Sequence, residues 1–286
     1  MKKLFIITLV VIGMFACAEH RNTKDGALPG KFSVSSYKQV HFSQGNLQYQ
    51  ASTNTWRFAE HQWDIIGEWN ANISPNYKGW IDLFGWGTGN NPTNSSTENN
   101  DYVSFVEWGE KIACNSNGDN IQWRTLSGDE WRYLFCGRKN AENLFGFGRV
   151  NGVCGLIVLP DDWETPIGLM FYPSLLKGLS RNMFRNSFSN PSEINYSHNT
   201  YSVDDWKKME HAGAVFLPAA GERYNIYVKL YDDNYPMGCY WSSSRSQNLS
   251  YWDSGSLDFF SKSFYPDSYG HRCLGLSVRL VCDLQD

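Results

Sequence analysis

The sequence predicts an α+β body, and three observations predict it. Two short stretches carry a complete helix-start pattern, the chain after residue 213 breaks into apolar segments of period two, and long Asn-, Gly-, Ser- and Tyr-rich connections separate the elements. Of the 286 residues, 16% are aromatic and only 19% charged, a composition that excludes disorder, collagen and coiled coil. The length allows one large domain or two small ones. A formal net charge of −4 offers no attraction to phosphates, so no nucleic-acid partner is expected.

At the N-terminus, Lys2 and Lys3 precede an apolar run from Leu4 to Phe15, followed by Ala16 and Cys17. This is the order of an export signal, and the run is well short of the roughly 20 residues that a membrane helix needs. Met14-Phe15-Ala16-Cys17 resembles the lipobox of bacterial lipoproteins, in which the thiol is acylated and becomes the new N-terminus. The resemblance implies a signal peptide over 1–16, lipid attachment at Cys17 and a place at the bacterial outer membrane or cell surface. Residues 17–30 end in Leu-Pro-Gly and show no apolar periodicity, so they read as a tether, with the folded domain over 31–286.

From Lys31 the pattern changes. Val40, Phe42, Leu47 and Tyr49 alternate with polar residues on either side of Ser43-Gln44-Gly45-Asn46, a hairpin signal reinforced by Trp56-Arg57-Phe58. Between Asn70 and Asp101 the chain reads as long ordered loops pinned by Trp80, Phe84 and Trp86. In Leu126-Ser127-Gly128-Asp129-Glu130-Trp131, Ser127 is a cap, Glu130 its reciprocal partner, and Leu126 with Trp131 the hydrophobic staple. A helix starting at Gly128 puts Trp131, Leu134 and Phe135 on one core-facing stripe. The pattern recurs at Tyr201-Ser202-Val203-Asp204-Asp205-Trp206, with Gly213 as a stop. Strands are expected at Ala214–Leu217, Cys239–Ser243, Leu257–Phe260 and Leu274–Leu280, the last with every second residue apolar. No fixed-period repeat argues for a solenoid or propeller.

Beyond Cys17, the cysteines are Cys114, Cys136, Cys154, Cys239, Cys273 and Cys282. They allow up to three disulfides, and buried thiols equally; no CxxC or Cys/His cluster points to zinc. The histidines form no HExxH and no serine sits in GxSxG, so hydrolase templates fail. Gly85–Gly89 and Gly146–Gly148 neither open a helix nor bring a lysine, and are read as turns rather than phosphate loops. Asp161-Asp162 is read as a loop or a helix start, because adjacent acids on a strand would face opposite ways.

Trp123-Arg-Thr-Leu-Ser-Gly-Asp-Glu-Trp-Arg-Tyr-Leu134 resembles the helix start of C-type lectin-like folds of the formylglycine-generating-enzyme type. Gly238-Cys-Tyr-Trp-Ser-Ser-Ser244 and Gly275-Leu-Ser-Val-Arg-Leu-Val281 are similar to the ending of the Fibrobacter succinogenes major paralogous domain. GNLQYQASTNTWRFA and GWIDLFGWGTG look like the matching part of lipoproteins from gut Bacteroidota. Together these imply a C-type lectin-like fold over most of 31–283. The enzymes of that fold use a cysteine pair near a C-terminal arginine-rich segment, and Cys239, Cys273 and Cys282 do not stand in a matching motif. Calcium is the one metal the lectin resemblance brings into consideration. Tyr251-Trp252-Asp253 and Tyr265-Pro266-Asp267 lack the side-chain amides of a lectin site, and Asp232-Asp233 reads as a solvated turn, so no cofactor is expected.

What remains are aromatics and acids in the loops expected between the last strands, where such folds carry ligands. Trp252, Asp253, Tyr265, Asp267 and Tyr269 are the expected contacts, in the loops over Asp232–Tyr235, Asn248–Asp253 and Tyr265–His271. The functional expectation is non-catalytic binding of a glycan or partner protein at the cell surface. A cysteine-dependent enzyme and a purely structural surface protein are the alternatives.

Overall fold

In the computed structural model, which describes residues 26–112, 122–174, 194–230, 234–245 and 253–284, the first helix begins where its capping residues place it. Helix α1 runs Gly128–Cys136; Ser127 Oγ accepts from Glu130 N, and the Glu130 carboxylate accepts from Ser127 N. Helix α2 runs Val203–His211, with Ser202 accepting from Asp205 N, and the chain leaves it through Gly213 at a left-handed φ of 98°.

From the N-terminus the strands are β1 (Phe32–Ser33), β2 (Gln39–Phe42), β3 (Leu47–Gln50), β4 (Thr55–Phe58), β5 (Trp80–Ile81) and β6 (Trp123–Thr125). Next come β7 (Phe145–Val150), β8 (Val153–Val158), β9 (Asn199–Tyr201), β10 (Val215–Pro218), β11 (Glu222–Tyr224) and β12 (Tyr227–Lys229). The C-terminal group is β13 (Gly238–Arg245), β14 (Asp253–Phe259), β15 (Phe264–His271), β16 (Leu274–Gly275) and β17 (Leu280–Asp283). They form small sheets ordered β1-β2-β17-β6, β10-β8-β7-β9, β12-β11-β16, β13-β14-β15 and β4-β3-β5. Every strand pair is antiparallel except β7 with β9, which gives an α+β architecture.

Four local expectations are corrected. The apolar alternation over 40–49 is not one hairpin, because β2 pairs with β1 and β17 while β3 pairs with β4 and β5. Residues 43–46 instead carry the chain on along the C-terminal segment, with Ser43 N donating to Leu280 O and Leu47 N to Val278 O. Gly45 is required there: a Cβ would stand 2.5 Å from the Ala59 carbonyl oxygen. The expected strand over Leu274–Leu280 is split between β16 and β17 because its successive residues pair with different segments. Gly146 and Gly148 lie inside β7 rather than in a turn; a Cβ on Gly148 would meet the Asn199 carbonyl at 2.4 Å, so glycine lets β9 approach. Residues 265–271 are strand rather than loop.

The apolar interior falls into three clusters. Trp131, Leu134 and Phe135 of α1 pack with Phe42, Phe145 and Phe264 in the first. Trp86, Trp108 and Trp241 join Leu276, Val278 and Leu280 in the second, and Trp206 and Met209 of α2 meet Phe216 in the third. Trp131 and Trp206 are fully buried, as the staple pattern predicts.

Between the clusters lies a buried polar junction. Arg279, 1% exposed, donates from Nη2 to Gln62 Oε1 at 2.7 Å and from Nη1 to Asn46 Oδ1 at 3.4 Å. Gln62 Oε1 also accepts from Phe216 N, and its amide donates to Glu210 Oε2 and Ala214 O. Asn46 in turn donates to Tyr240 Oη, which donates to the Pro218 carbonyl. Burial lowers the Arg279 pKa to about 10, which leaves the guanidinium protonated at neutral pH.

Trp131→Ala and Trp206→Ala should each cost roughly 3–5 kcal/mol in urea unfolding, since each empties a fully enclosed site. Gln62→Leu, similar in size, strands the Arg279 guanidinium and the Phe216 N–H, and should cost at least about 3 kcal/mol in the same measurement.

Candidate functional site: a charge-paired cleft beside the first helix

The turn that joins β1 to β2 stands off from α1 and leaves an open cleft of about 1290 Å³ between them. Val34, Tyr37 and Lys38 line it from the turn, Asp129, Glu130, Arg132 and Tyr133 from α1, and Arg124 and Asp283 from β6 and the end of β17. The sequence places Glu130 there as a by-product of capping. Its Oε2 accepts from Ser127 N at 2.9 Å and from Arg124 Nη1 at 2.7 Å, and its Oε1 accepts from Arg124 Nη2 at 2.8 Å. The guanidinium is thus held by both carboxylate oxygens, the strongest geometry for this pair. Arg124 Nε and Nη2 also donate to Asp283 Oδ1, at 2.8 and 2.7 Å, and Lys38 Nζ lies 3.0 Å from Asp283 Oδ2 and 3.7 Å from Glu130 Oε1. Two cations and two anions close a neutral ring.

The electrostatics follow from that ring. Burial works against the charge on Arg124, but hydrogen bonds to Glu130 and Asp283 outweigh it and raise its pKa. For Asp283, burial would raise the carboxyl, yet Arg124 and Lys38 hold it below the usual carboxylate range. Glu107 is engaged as well, accepting from Thr125 N at 2.9 Å and Thr125 Oγ1 at 2.7 Å. Arg132 pairs with Asp129 and, at 3.3 Å, with Asp267 Oδ2. Cys136 also lines the cleft, and burial pushes its thiol up to about 12. The cleft therefore offers paired charges, hydroxyls and two tyrosine faces, with Tyr37 almost wholly exposed at the rim. Such a surface suits a hydroxyl-rich ligand that exchanges hydrogen bonds without needing a net charge.

Of the residues the sequence singled out, Cys17 and Trp252 lie outside the described residues, as do Cys114, Tyr251 and Asp232-Asp233. Asp253 opens β14 opposite His271 of β15. Tyr265, Asp267 and Tyr269 lie on β15, correcting their expected loop placement, because β15 completes a ladder with β14 that absorbs a bulge opposite Ser256–Asp258. Tyr265 packs its ring 6.1 Å from Phe260. Asp267 reaches the cleft lining through Arg132; burial raises its carboxyl although Arg132 opposes the shift. Asp161 takes the loop role expected of it, accepting from Ser33 N, Ser33 Oγ and Gln39 Nε2 on one oxygen and from Arg138 on the other.

The helix-start pattern identifies Glu130 as the reciprocal partner of the Ser127 cap, but not Lys38 and Arg124 as its ion-pair partners or Asp283 as the second carboxylate they share. No signal of spacing links Lys38 or Asp283 to Glu130 across so much of the chain. Among the described residues, no group of three His, Cys, Asp or Glu converges on a metal-sized site. Cys136, Cys154, Cys239, Cys273 and Cys282 are thiols rather than disulfides. Burial pushes the Cys239 thiol well up and also raises Cys273. Compared with known proteins, the chain matches no family model, no curated protein and no solved structure.

Iodoacetamide at pH 8, read by peptide mapping, should leave Cys136 and Cys239 of the native protein essentially unmodified. A thiol titrating near 12 is thiolate about once in ten thousand molecules at that pH, so Cys136 should react on the order of a thousandfold slower than an exposed cysteine.

Proposed function

We propose that this chain is a cell-surface lipoprotein, acylated at Cys17 and held at the bacterial outer membrane, that binds a glycan without catalysis in the cleft between the β1–β2 turn and α1. The observation that carries the reading is the cleft itself. It is large and open, its carboxylates are held by Arg124, Lys38, Arg132 and Thr125, and its cysteine is a thiol of raised pKa. Groups poised for acid–base or nucleophilic work have their pKa values brought toward neutrality, whereas the Asp283 carboxyl is held low and the Cys136 thiol is pushed up; Asp267, whose carboxyl burial does raise, is paired with Arg132. Tyr37 and Tyr133 supply flat apolar faces beside hydroxyls and charges, the combination that sugar rings accept.

The finer fold reading belongs to the same proposal: a variant C-type lectin-like body resembling the Fibrobacter succinogenes major paralogous domain. Its support is that the resembling segments carry central parts of this architecture. Ser127–Trp131 start α1, and the segment 275–281 runs through the centre of the molecule. The cysteine-dependent alternative is weakened by burial of Cys239, Cys273 and Cys282, since the nucleophile would be the thiolate.

A glycan-binding screen on the full-length protein tests the proposal. Tyr37→Ala with Lys38→Ala should lower affinity for the bound glycan about tenfold or more, equivalent to about 1.4 kcal/mol, while loss of the half-exposed Lys38 ion pairs should lower the melting temperature by no more than about 4 °C. Binding that survives both changes would remove the cleft as the site.

A further inference from the structure

We propose that the surface formed by the β11–β12 hairpin and the 3-10 turn over Gly67–Asn72 rests on a lipid bilayer, orienting the protein on the membrane that holds it. This inference rests on the acylation of Cys17. Trp69, Tyr224, Ile226, Tyr227 and Leu230 are all exposed, Trp69 and Tyr227 at 69% and 73%. The elements that carry them adjoin: Tyr224 and Tyr227 are cross-strand partners around a two-residue turn, β12 lies against the 67–72 turn, and a Cβ on Gly67 would stand 3.4 Å from Leu230 Cδ1.

The surface is rigidly presented. Arg223, fully buried, donates from Nη1 to the Asn225 carbonyl at 2.6 Å and from Nε and Nη2 to the Leu83 carbonyl, so the hairpin tip is tied to the body. Asn225 adopts the left-handed φ of 53° that such a tip needs. The 67–72 turn is locked by Asn70, whose Nδ2 donates to Asp82 Oδ1 and whose Oδ1 accepts from Asp82 N. A rigid apolar tip with Ile226 half exposed and tyrosines and a tryptophan around it matches the headgroup boundary, where Trp and Tyr rings settle and aliphatic side chains enter. A glycan would gain little from Ile226 and Leu230, and a net charge of −4 leaves apolar burial as the driving force.

The chain length allows the membrane to lie on this side. Gly26, the first described residue, packs against Phe58 of β4; β4, β3 and β5 are consecutive in one sheet, and the 67–72 turn lies against β5. Two strand spacings and one packed turn separate Gly26 from Trp69 by roughly 20 Å. Eight residues separate Cys17 from Gly26, and the nine Cα–Cα steps reach at most about 32 Å when extended, so a lipid on Cys17 keeps the bilayer within reach of the surface.

The test uses the full chain, processed in a bacterial host and reconstituted into vesicles of phosphatidylethanolamine with a minor share of phosphatidylglycerol, with and without dibrominated acyl chains. The Trp69 emission, taken as wild type minus Trp69→Phe, should fall at least about twofold with brominated lipid, and Ile226→Ser with Tyr227→Ser should abolish most of that loss. Mass spectrometry of the Cys17 peptide reads acylation separately. Unquenched Trp69 emission in an acylated chain that floats with the vesicles overturns the docking and leaves the anchor standing. If Cys17 carries no acyl mass, the anchor fails, and quenching on added vesicles then upholds the surface while its absence overturns it. Emission that responds to soluble oligosaccharide instead of lipid, or quenching indifferent to the hairpin changes, overturns the proposal as well.

Discussion

The C-terminal segment from Leu274 to Asp283 is the constraint on which the other elements depend. Along ten residues it pairs with β11, bridges Phe84 and Tyr240, accepts hydrogen bonds from Leu47 and Ser43, and then inserts as β17 between β2 and β6. Its alternate side chains Leu276, Val278 and Leu280 enter one apolar cluster, while Ser277 and Arg279 are equally buried on the other side. A strand buried on both faces with a cation on one of them needs that cation hydrogen-bonded, and Gln62 and Asn46 take its two terminal nitrogens, while Nε finds no acceptor among the described residues. The same Gln62 holds Phe216, Glu210 and Ala214 around the end of α2, so one amide links the C-terminus to the third core cluster.

The cleft depends on this arrangement through Asp283. The residue ends β17, and its position diagonal to Arg124 follows from the register of β17 with β6, in which Val281 stands opposite Arg124 and Asp283 lies two residues further on. Glu130 reaches the same guanidinium because the capping box turns its side chain back over the helix start. Helix capping, strand register and the charge ring are thus one mechanical unit. Because the ring is neutral and its members satisfy one another, the cleft remains polar without acquiring an isolated buried charge.

Aromatic richness has two different consequences here. Trp86, Trp108, Trp131, Trp206 and Trp241 are fully buried and carry the packing of the three clusters. Trp69, Tyr37, Tyr224 and Tyr227 are among those exposed to solvent, where they can meet another molecule. Composition alone does not separate these groups, since the rings are chemically alike; what differs is the covering that distant segments provide.

The sequence by itself determined the elements whose information is local: both helices with their caps, the buried faces of Trp131 and Trp206, the alternation of Leu276, Val278 and Leu280, and the loop role of Asp161. It determined the α+β class, because short-range patterns suffice to tell helix from strand. Only the tertiary structure decided which strand pairs with which. It separated β2 from β3, divided the last strand in two, and moved Tyr265, Asp267 and Tyr269 from a loop into a ladder. It also decided the cleft, since Lys38, Arg124, Glu130 and Asp283 meet only after β17 has been threaded between β2 and β6. The physical reason is range. Caps and periodicity act over three or four residues, whereas strand partners and ion pairs form between segments whose separation along the chain leaves no trace in any local pattern.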